Sequence, residues 1–92
     1  MNPELFQTLY RSKTLKIERI ISRGHATPKA KWLRGRKHEW VMLISGAAKL
    51  RFQYGRLVSM KAGSFVFIRA GRPHRVEWTK PRAKTVWLAV HY

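Results

Sequence analysis

The sequence contains no cysteine and no aspartate, and its only acidic side chains are four glutamates among 92 residues. Without cysteine the chain has neither disulfides nor thiolate ligands, and the redox compartment is left open. A metal ion would have to be held by histidine, glutamate or water. The absence of aspartate excludes a Ser-His-Asp triad, and a Ser-His-Glu set lacks a nucleophile-elbow motif. A glycine-rich phosphate-binding loop is absent as well.

The scarcity of acid leaves the chain strongly basic. Twenty lysines and arginines against four glutamates give a formal net charge of +16. A charge of this size attracts polyanions over a long range, so nucleic acid is a candidate partner. No helix-turn-helix, zinc-finger or RNP-type aromatic motif accompanies the charge. Two other interpretations stay open: a host whose proteins are generally basic, or a sequence whose acids were replaced to make it supercharged.

The length and hydropathy of the chain predict a single small globular domain. A domain of this size buries only about 60–65% of the surface of its unfolded chain, so we expect its stability to be either marginal or shared with a second subunit in a homodimer. The hydrophobic fraction of 45% predicts a packed core. The early Glu4 and the lack of a long apolar run argue against a signal peptide or a membrane-spanning helix. We therefore expect a cytoplasmic protein with no membrane partner.

The pattern along the chain predicts a short helix followed by strands. Asn-Pro-Glu at positions 2–4 is typical of a helix N-terminus and predicts a helix over Leu5–Tyr10. Beyond it, short β-branched or alternating stretches recur about every 8–12 residues, with glycine or proline between them. We therefore divide the chain into an N-terminal helical segment, residues 1–14, and an all-β domain, residues 15–92. Seven or eight strands are expected in a sandwich or barrel.

Two blocks within the β region resemble the signature of the cupin family. The first block is a glutamate, six residues and a glycine; the second is glycine, five residues, proline, one residue, glycine, two residues and histidine. The residues that match are Glu39, Gly46, Gly63, Gly71 and His74. Arg69 takes the place of the proline. The resemblance covers about residues 15–92, and it implies a jelly-roll β-barrel, here preceded by the short helix.

The resemblance also implies a metal site. Cupins usually hold a metal with two histidines of an HxH triplet, the glutamate of the first block and the histidine of the second. The triplet positions here are Leu33 and Gly35, whereas Glu39 and His74 match. His25, on the preceding loop, is the candidate replacement, so the expected ligands are Glu39, His74 and His25, with Ni, Mn, Fe or Zn as the ion. The alternative is a buried Glu39–His74 pair that holds no metal.

Basic loops are expected to frame the same end of the barrel, which favours an anionic ligand. Arg34 and Arg69 are the candidate contacts, since a guanidinium can donate two parallel hydrogen bonds to a carboxylate or phosphate. Trp78 shares an alternating strand face with His74, so it is expected to point inward and to stack on a planar ligand.

Three functions follow from these patterns. The first is a cupin-fold protein that binds a small anionic compound in its barrel, either as a binding protein or as a weak metalloenzyme. The second is binding of nucleic acid or another polyanion by the basic surface. The third is a positively charged cupin scaffold with no native activity. Fold does not choose between them, and whether the chain is an enzyme is left open.

Overall fold

The computed structural model describes residues 3–92, which form eight β-strands and no helix. The strands are β1 (Leu5–Arg11), β2 (Lys16–Ser22), β3 (Glu39–Ser45), β4 (Ala47–Phe52), β5 (Leu57–Lys61), β6 (Phe65–Ile68), β7 (His74–Thr79) and β8 (Thr85–His91). Within the described chain there is accordingly no helix that could span a membrane. The predicted all-β fold is confirmed.

The helix predicted over Leu5–Tyr10 is wrong, because this segment is strand β1. β1 runs antiparallel to β2. Aromatic and β-branched residues such as Phe6 and Thr8 favour a strand, and pairing with β2 outweighs the local capping pattern. Asn2, the expected N-cap, lies outside the described residues. Within the described part of the N-terminal segment, Leu5–Arg11 therefore forms an edge strand of the same sheet as β2 and no helix.

The strands form two antiparallel sheets that enclose one core. The larger sheet has the strand order β1-β2-β8-β3-β6, and the smaller one has the order β5-β4-β7. Nine buried apolar side chains from both sheets form the core: Val41, Leu43, Ala48, Leu50, Phe52, Met60, Ile68, Trp87 and Ala89. Removal of these side chains from water is the main term that holds the two sheets together.

The strand register aligns side chains in rows across the larger sheet, because residues directly opposite each other on paired strands point to the same face. On the inner face, the row at one end of the barrel consists of Arg11, Lys16, His91, Glu39 and Ile68. The next inner row consists of Thr8, Glu18, Ala89, Val41 and Val66. On the inner face of this sheet, the charged and imidazole side chains of the strands are thus concentrated in these two rows, at the end of the barrel that we call the polar end.

The opposite side of the larger sheet, here called the outer face, is apolar. Its first row is Tyr10, Ile17, Val90, Trp40 and Phe67, and its second row is Gln7, Arg19, Leu88, Met42 and Phe65. Leu5, Ile21 and Val86 add part of a third row. The smaller sheet packs on the inner face, so no strand of the described chain covers the outer one.

β1 and β6 form the two edges of the larger sheet. The register of β1 shifts between Thr8 and Tyr10, which marks a β-bulge in this edge strand.

The turn from β3 to β4 carries the chain from one sheet to the other and requires glycine. Gly46 has a φ of 92°, and a Cβ atom at this position would lie 2.7 Å from the Cα of Thr85. Both the positive φ and the close approach exclude a side chain. This packing explains the glycine at the end of the first sequence block.

Candidate functional site

The barrel contains a cavity of about 680 Å³, and Lys16, Glu39 and His91 of the polar end are among the residues that line it. Strands β2, β3 and β7 begin at this end, whereas β6 and β8 finish there. The loop of residues 31–37 lies over it: Leu33 exchanges two backbone hydrogen bonds with His74, and the Gly71 N–H donates to the Gly35 carbonyl at 2.8 Å. The volume lies within the range of small-molecule sites, about 300–1,000 Å³.

Glu39 and His74 meet inside the cavity, as the sequence predicted. Glu39 begins β3 in the larger sheet, and His74 begins β7 in the smaller one. The Oε1 atom of Glu39 lies 3.8 Å from Nε2 of His74, an ion-pair distance too long for a direct hydrogen bond. On its other side, Nδ1 of His74 lies 2.8 Å from the Arg72 carbonyl. That contact fits an Nδ1–H donor and orients the ring so that Nε2 faces the carboxylate.

A second carboxylate–imidazole pair lies in the same cavity and was not identified from the sequence. Oε1 of Glu18 on β2 lies 3.3 Å from Nε2 of His91 on β8, and Nζ of Lys16 lies 3.3 Å from Oε2 of Glu18. His91 is also the direct cross-strand neighbour of Glu39. Two pairs therefore stand side by side. Alternation in β2 was the available signal: Lys16, Glu18 and Ile20 share a face, but only the pairing with β8 shows that this face is the inner one.

The four cupin ligand positions do not form a metal centre in this chain. Leu33 and Gly35 line the cavity at the triplet positions, but neither carries a ligating side chain. Across residues 3–92, no three or more histidine, cysteine or acidic side chains are grouped closely enough to hold a metal ion. Catalytic metal sites ordinarily use three protein ligands in fixed geometry. The residues present therefore do not fit such a centre.

His25 does not join Glu39 and His74. It lies in the loop after β2, where its Nδ1 accepts a 2.8 Å hydrogen bond from the Arg23 N–H and its carbonyl accepts one from Thr79 Oγ1 at 2.6 Å. It is not among the residues that line the cavity. Thr79 is the last residue of β7, so His25 lies near the opposite end of that strand from His74. The loop carries it away from the lost triplet.

The expected arginines, in contrast, do line the cavity. Arg34 comes from the covering loop, and Arg69 follows β6 at the polar end. Four further cations line the same cavity: Lys16, Lys31, Arg36 and Lys37. The carboxylates on its walls are Glu4, Glu18 and Glu39. A positive electrostatic potential in a concave, partly apolar site favours the binding of an anionic ligand.

Trp78 does not face the cavity, contrary to the inward orientation expected from strand alternation. The register between β4 and β7 shifts, so that Leu50 opposes Val76 but Lys49 opposes Trp78. This bulge adds one residue to β7 and reverses the alternation after Val76. Trp78 is 37% exposed, and the Lys49 ammonium lies 5.5 Å from its ring centre.

Comparison with known proteins agrees with this architecture. The family model of the cupin domain matches residues 22–91. A solved structure from Ralstonia eutropha JMP134, described as a candidate mannose-6-phosphate isomerase, is 42% identical with a TM-score of 0.95, over 99% of this chain and 85% of that one. No protein of curated function matches the chain.

Two more distant structures share the fold. A cupin superfamily protein from Desulfitobacterium hafniense DCB-2 has a TM-score of 0.81 at 13% identity, over 98% of this chain and 77% of that one. An RmlC-like cupin from Methanocaldococcus jannaschii, with a double-stranded β-helix fold, has a TM-score of 0.80 at 14% identity, over 97% and 79%. At these identities the similarity concerns the fold alone.

Proposed function

Because the chain belongs to the cupin family, we propose that its barrel cavity binds a small compound carrying a phosphate or carboxylate group. One observation carries the proposal: a cavity of about 680 Å³ is lined by six lysine or arginine side chains and contains two carboxylate–imidazole pairs. The cations supply attraction and orientation for the anion. The two partly buried pairs supply hydrogen-bonding groups for the rest of the ligand.

The roles of the residues follow from their positions. Arg34 and Arg69 hold the anionic group at the cavity entrance, where a guanidinium can make two charge-assisted hydrogen bonds. Deeper inside, the carboxylates of Glu39 and Glu18 accept hydrogen bonds from ligand hydroxyls. An imidazole that faces a carboxylate can also hold or pass a proton, so the same arrangement suits proton transfer.

The relative from Ralstonia eutropha supports a phosphorylated sugar as the ligand class. Its printed description concerns mannose 6-phosphate, which combines a phosphate with several hydroxyl groups. Such a compound would use both the cationic entrance and the carboxylates inside. At 42% identity over nearly the whole of this chain, the similarity extends beyond the fold.

No step of this proposal passes through a metal ion. Cupins commonly use a metal as a Lewis acid, but Glu39 and His74 alone provide fewer protein ligands than catalytic sites ordinarily use. The covering loop places Leu33 and Gly35 where the other ligands would stand. The ligand is therefore oriented by side chains alone.

Calorimetric titration tests the proposal with mannose 6-phosphate, mannose and inorganic phosphate as separate ligands. We expect the sugar phosphate to bind more tightly than either of its parts. Arg69→Gln and Arg34→Gln should each weaken binding about 10-fold or more, since hydrogen bonds to a charged group contribute about 1.5–3 kcal/mol.

The matched control is Arg56→Gln, which removes the same charge from the exposed turn between β4 and β5. Equal weakening in the control would mean that the ligand responds to net charge and not to a site. Absence of binding by phosphorylated and carboxylated sugars alike would overturn the proposal.

A second candidate function rests on the charge itself. A net charge of +16 on 92 residues favours association with nucleic acid or another polyanion through the basic surface, without a defined recognition element.

A further inference from the structure

The smaller sheet has one side on the core, and its other side, which faces away from the core, is rich in cations. We call this side the basic face and define it by Lys49, Arg51, Lys61, Arg75 and Trp78. The strand register brings these side chains together, because Lys49 opposes Trp78 and Arg51 opposes Arg75, whereas the intervening Leu50 is buried in the core. No strand of the described chain covers the face.

Tryptophan rings alternate with the cations at one edge of the basic face. The Lys49 ammonium lies near the ring of Trp78, which is 37% exposed. In the neighbouring row, the Arg75 guanidinium lies 4.6 Å from the ring centre of Trp32. Nη1 of Arg75 also donates to the Lys29 carbonyl, so the loop that carries Trp32 is bound to the sheet. Interleaved cations and aromatic rings are typical of surfaces that bind unpaired nucleotides.

Two arginines of the basic face converge on one oxyanion. The Nε atoms of Arg51 and Arg75 each lie 3.1 Å from Oε1 of Glu77. The other three glutamates line the cavity. Since arginine binds phosphate as readily as carboxylate, a phosphate group can displace the exposed Glu77 side chain from between the two guanidinium groups. Phosphate contacts and an exposed ring, that of Trp78, are thus available side by side.

We propose that the basic face binds single-stranded nucleic acid. Bases stack on Trp78 and on the Arg75 guanidinium, while Lys49 and Arg51 hold the phosphates. The base faces in a duplex are covered by their neighbours, so stacking selects an unpaired strand. Stacking also tolerates any base, which agrees with a sequence that lacks a base-reading motif.

This inference rests on the second candidate function, polyanion binding, and gives it a surface separate from the cavity. None of the side chains of the basic face is among those that line the cavity. The face is also short. The rows of Arg51, Lys49 and Lys61 succeed one another two residues apart along the paired strands. They therefore span about 14 Å, the length of about four nucleotides of a stacked strand.

Fluorescence anisotropy with a labelled thymidine strand of about 16 nucleotides, and with a duplex of the same length, tests the proposal. Charge alone favours the duplex, whose phosphates are denser. We expect the opposite order, with the single strand bound more tightly. Trp78→Ala should weaken binding of the single strand about 10-fold and leave binding of the duplex unchanged, because a stacked base is lost without a change in charge.

The matched control for the ring is Phe65→Ala, which removes an exposed aromatic side chain from the larger sheet. It should bind both nucleic acids as the wild type does. For the charge, Lys49→Gln should lower the salt slope for the single strand by about one, since one phosphate contact is lost. Lys13→Gln, in the exposed turn between β1 and β2, removes the same charge and should leave the slope unchanged. Circular dichroism checks the fold of each variant.

Several outcomes would overturn the proposal. They are a duplex bound more tightly than the single strand, a Trp78→Ala variant that binds the single strand as the wild type does, and an equal loss in Phe65→Ala. Tighter binding of polyglutamate than of the thymidine strand would overturn it in favour of an acidic protein. Salt-dependent duplex binding that persisted in these cases would leave the polyanion function intact, whereas loss of binding to both nucleic acids would contradict that function as well.

Discussion

At the scale of single residues, the positions of the four glutamates show where the negative charge of the chain lies. Three of them, Glu4, Glu18 and Glu39, line the barrel cavity. Each lies in a defined contact, with the Ser22 hydroxyl, His91 and His74 respectively. In a sequence so poor in acid, this concentration inside one cavity favours a ligand site over a neutral scaffold.

The fourth glutamate predicts how stability changes with acid. Partial desolvation raises the pKa of Glu77, but hydrogen bonds and charge from Arg75 and Arg51 outweigh it, so that the pKa lies below its ordinary value of 4.5. A lowered pKa in the folded state contributes stability above the unfolded value, and this contribution is lost as pH falls through the folded value. Its loss is therefore expected on the acid side of pH 4.5.

Glu77→Gln should remove this pH-dependent part. We expect its urea midpoint to fall slightly below that of the wild type at pH 7, and the two midpoints to converge by about pH 3. The expected change in the urea midpoint is small, because the Glu77 carboxylate is exposed to solvent. A gap that stayed constant from pH 7 to pH 3 would contradict the assignment to Glu77.

At the scale of strands and turns, the alternation of side chains predicted much of the fold but not its irregularities. The strand from Glu39, with Val41 and Leu43 on the inner face, follows directly from the sequence pattern. The bulge in β7, which turns Trp78 outward, has no local signal, because it arises from the register between two strands distant in sequence. The same applies to Glu18, whose inward position depends on pairing with β8.

At β1, in contrast, a local sequence signal was present but led to a wrong prediction. Asn-Pro-Glu at positions 2–4 has the local chemistry of a helix start, yet Leu5–Arg11 joins β2. Tertiary pairing decides such short segments, because a helix of six or seven residues gains little from its own hydrogen bonds. The two sequence blocks predicted the barrel and the Glu39–His74 pair because their spacing reflects turns between sheets.

The turn at Gly46 gives a prediction for this scale. Gly46 and Gly63 have nearly the same φ, 92° and 90°, but a Cβ at Gly46 would meet Thr85 while one at Gly63 would meet nothing within 4 Å. Gly63→Ala should therefore cost about 1–2 kcal/mol of unfolding free energy from backbone strain alone. Gly46→Ala should cost roughly 2 kcal/mol more, because the turn must also shift away from β8.

Urea unfolding of the two variants measures the difference in their free energies of unfolding. Gly63→Ala serves as the control for backbone strain. Equal losses in both variants would mean that the contact with Thr85 relaxes without cost.

At the scale of the whole molecule, the charge of +16 predicts strongly salt-dependent binding of polyanions. Affinity for a random DNA duplex should fall linearly with salt on a double logarithmic plot, by about 10³-fold or more between 50 and 200 mM if six or more phosphates are contacted. Heparin should behave in the same way. Fluorescence anisotropy of a labelled duplex measures the slope.

Addition of mannose 6-phosphate tests whether the cations of the cavity take part in DNA binding. Displacement of DNA by the sugar phosphate would show that the cavity cations hold the polymer, whereas unchanged anisotropy would place it on the remaining surface. Binding that is absent, or independent of salt, would contradict the polyanion function.

The bulge in β1 disfavours the formation of fibres by edge-to-edge pairing of strands. An unpaired edge strand offers its backbone groups to further chains, and pairing edge to edge can continue without end. The register shift between Thr8 and Tyr10 interrupts the ladder of β1, and Arg11 and Lys13 add like charge beside it. Backbone pairing along this edge is therefore interrupted within β1, and an approaching strand of a second copy meets positive charge of its own sign.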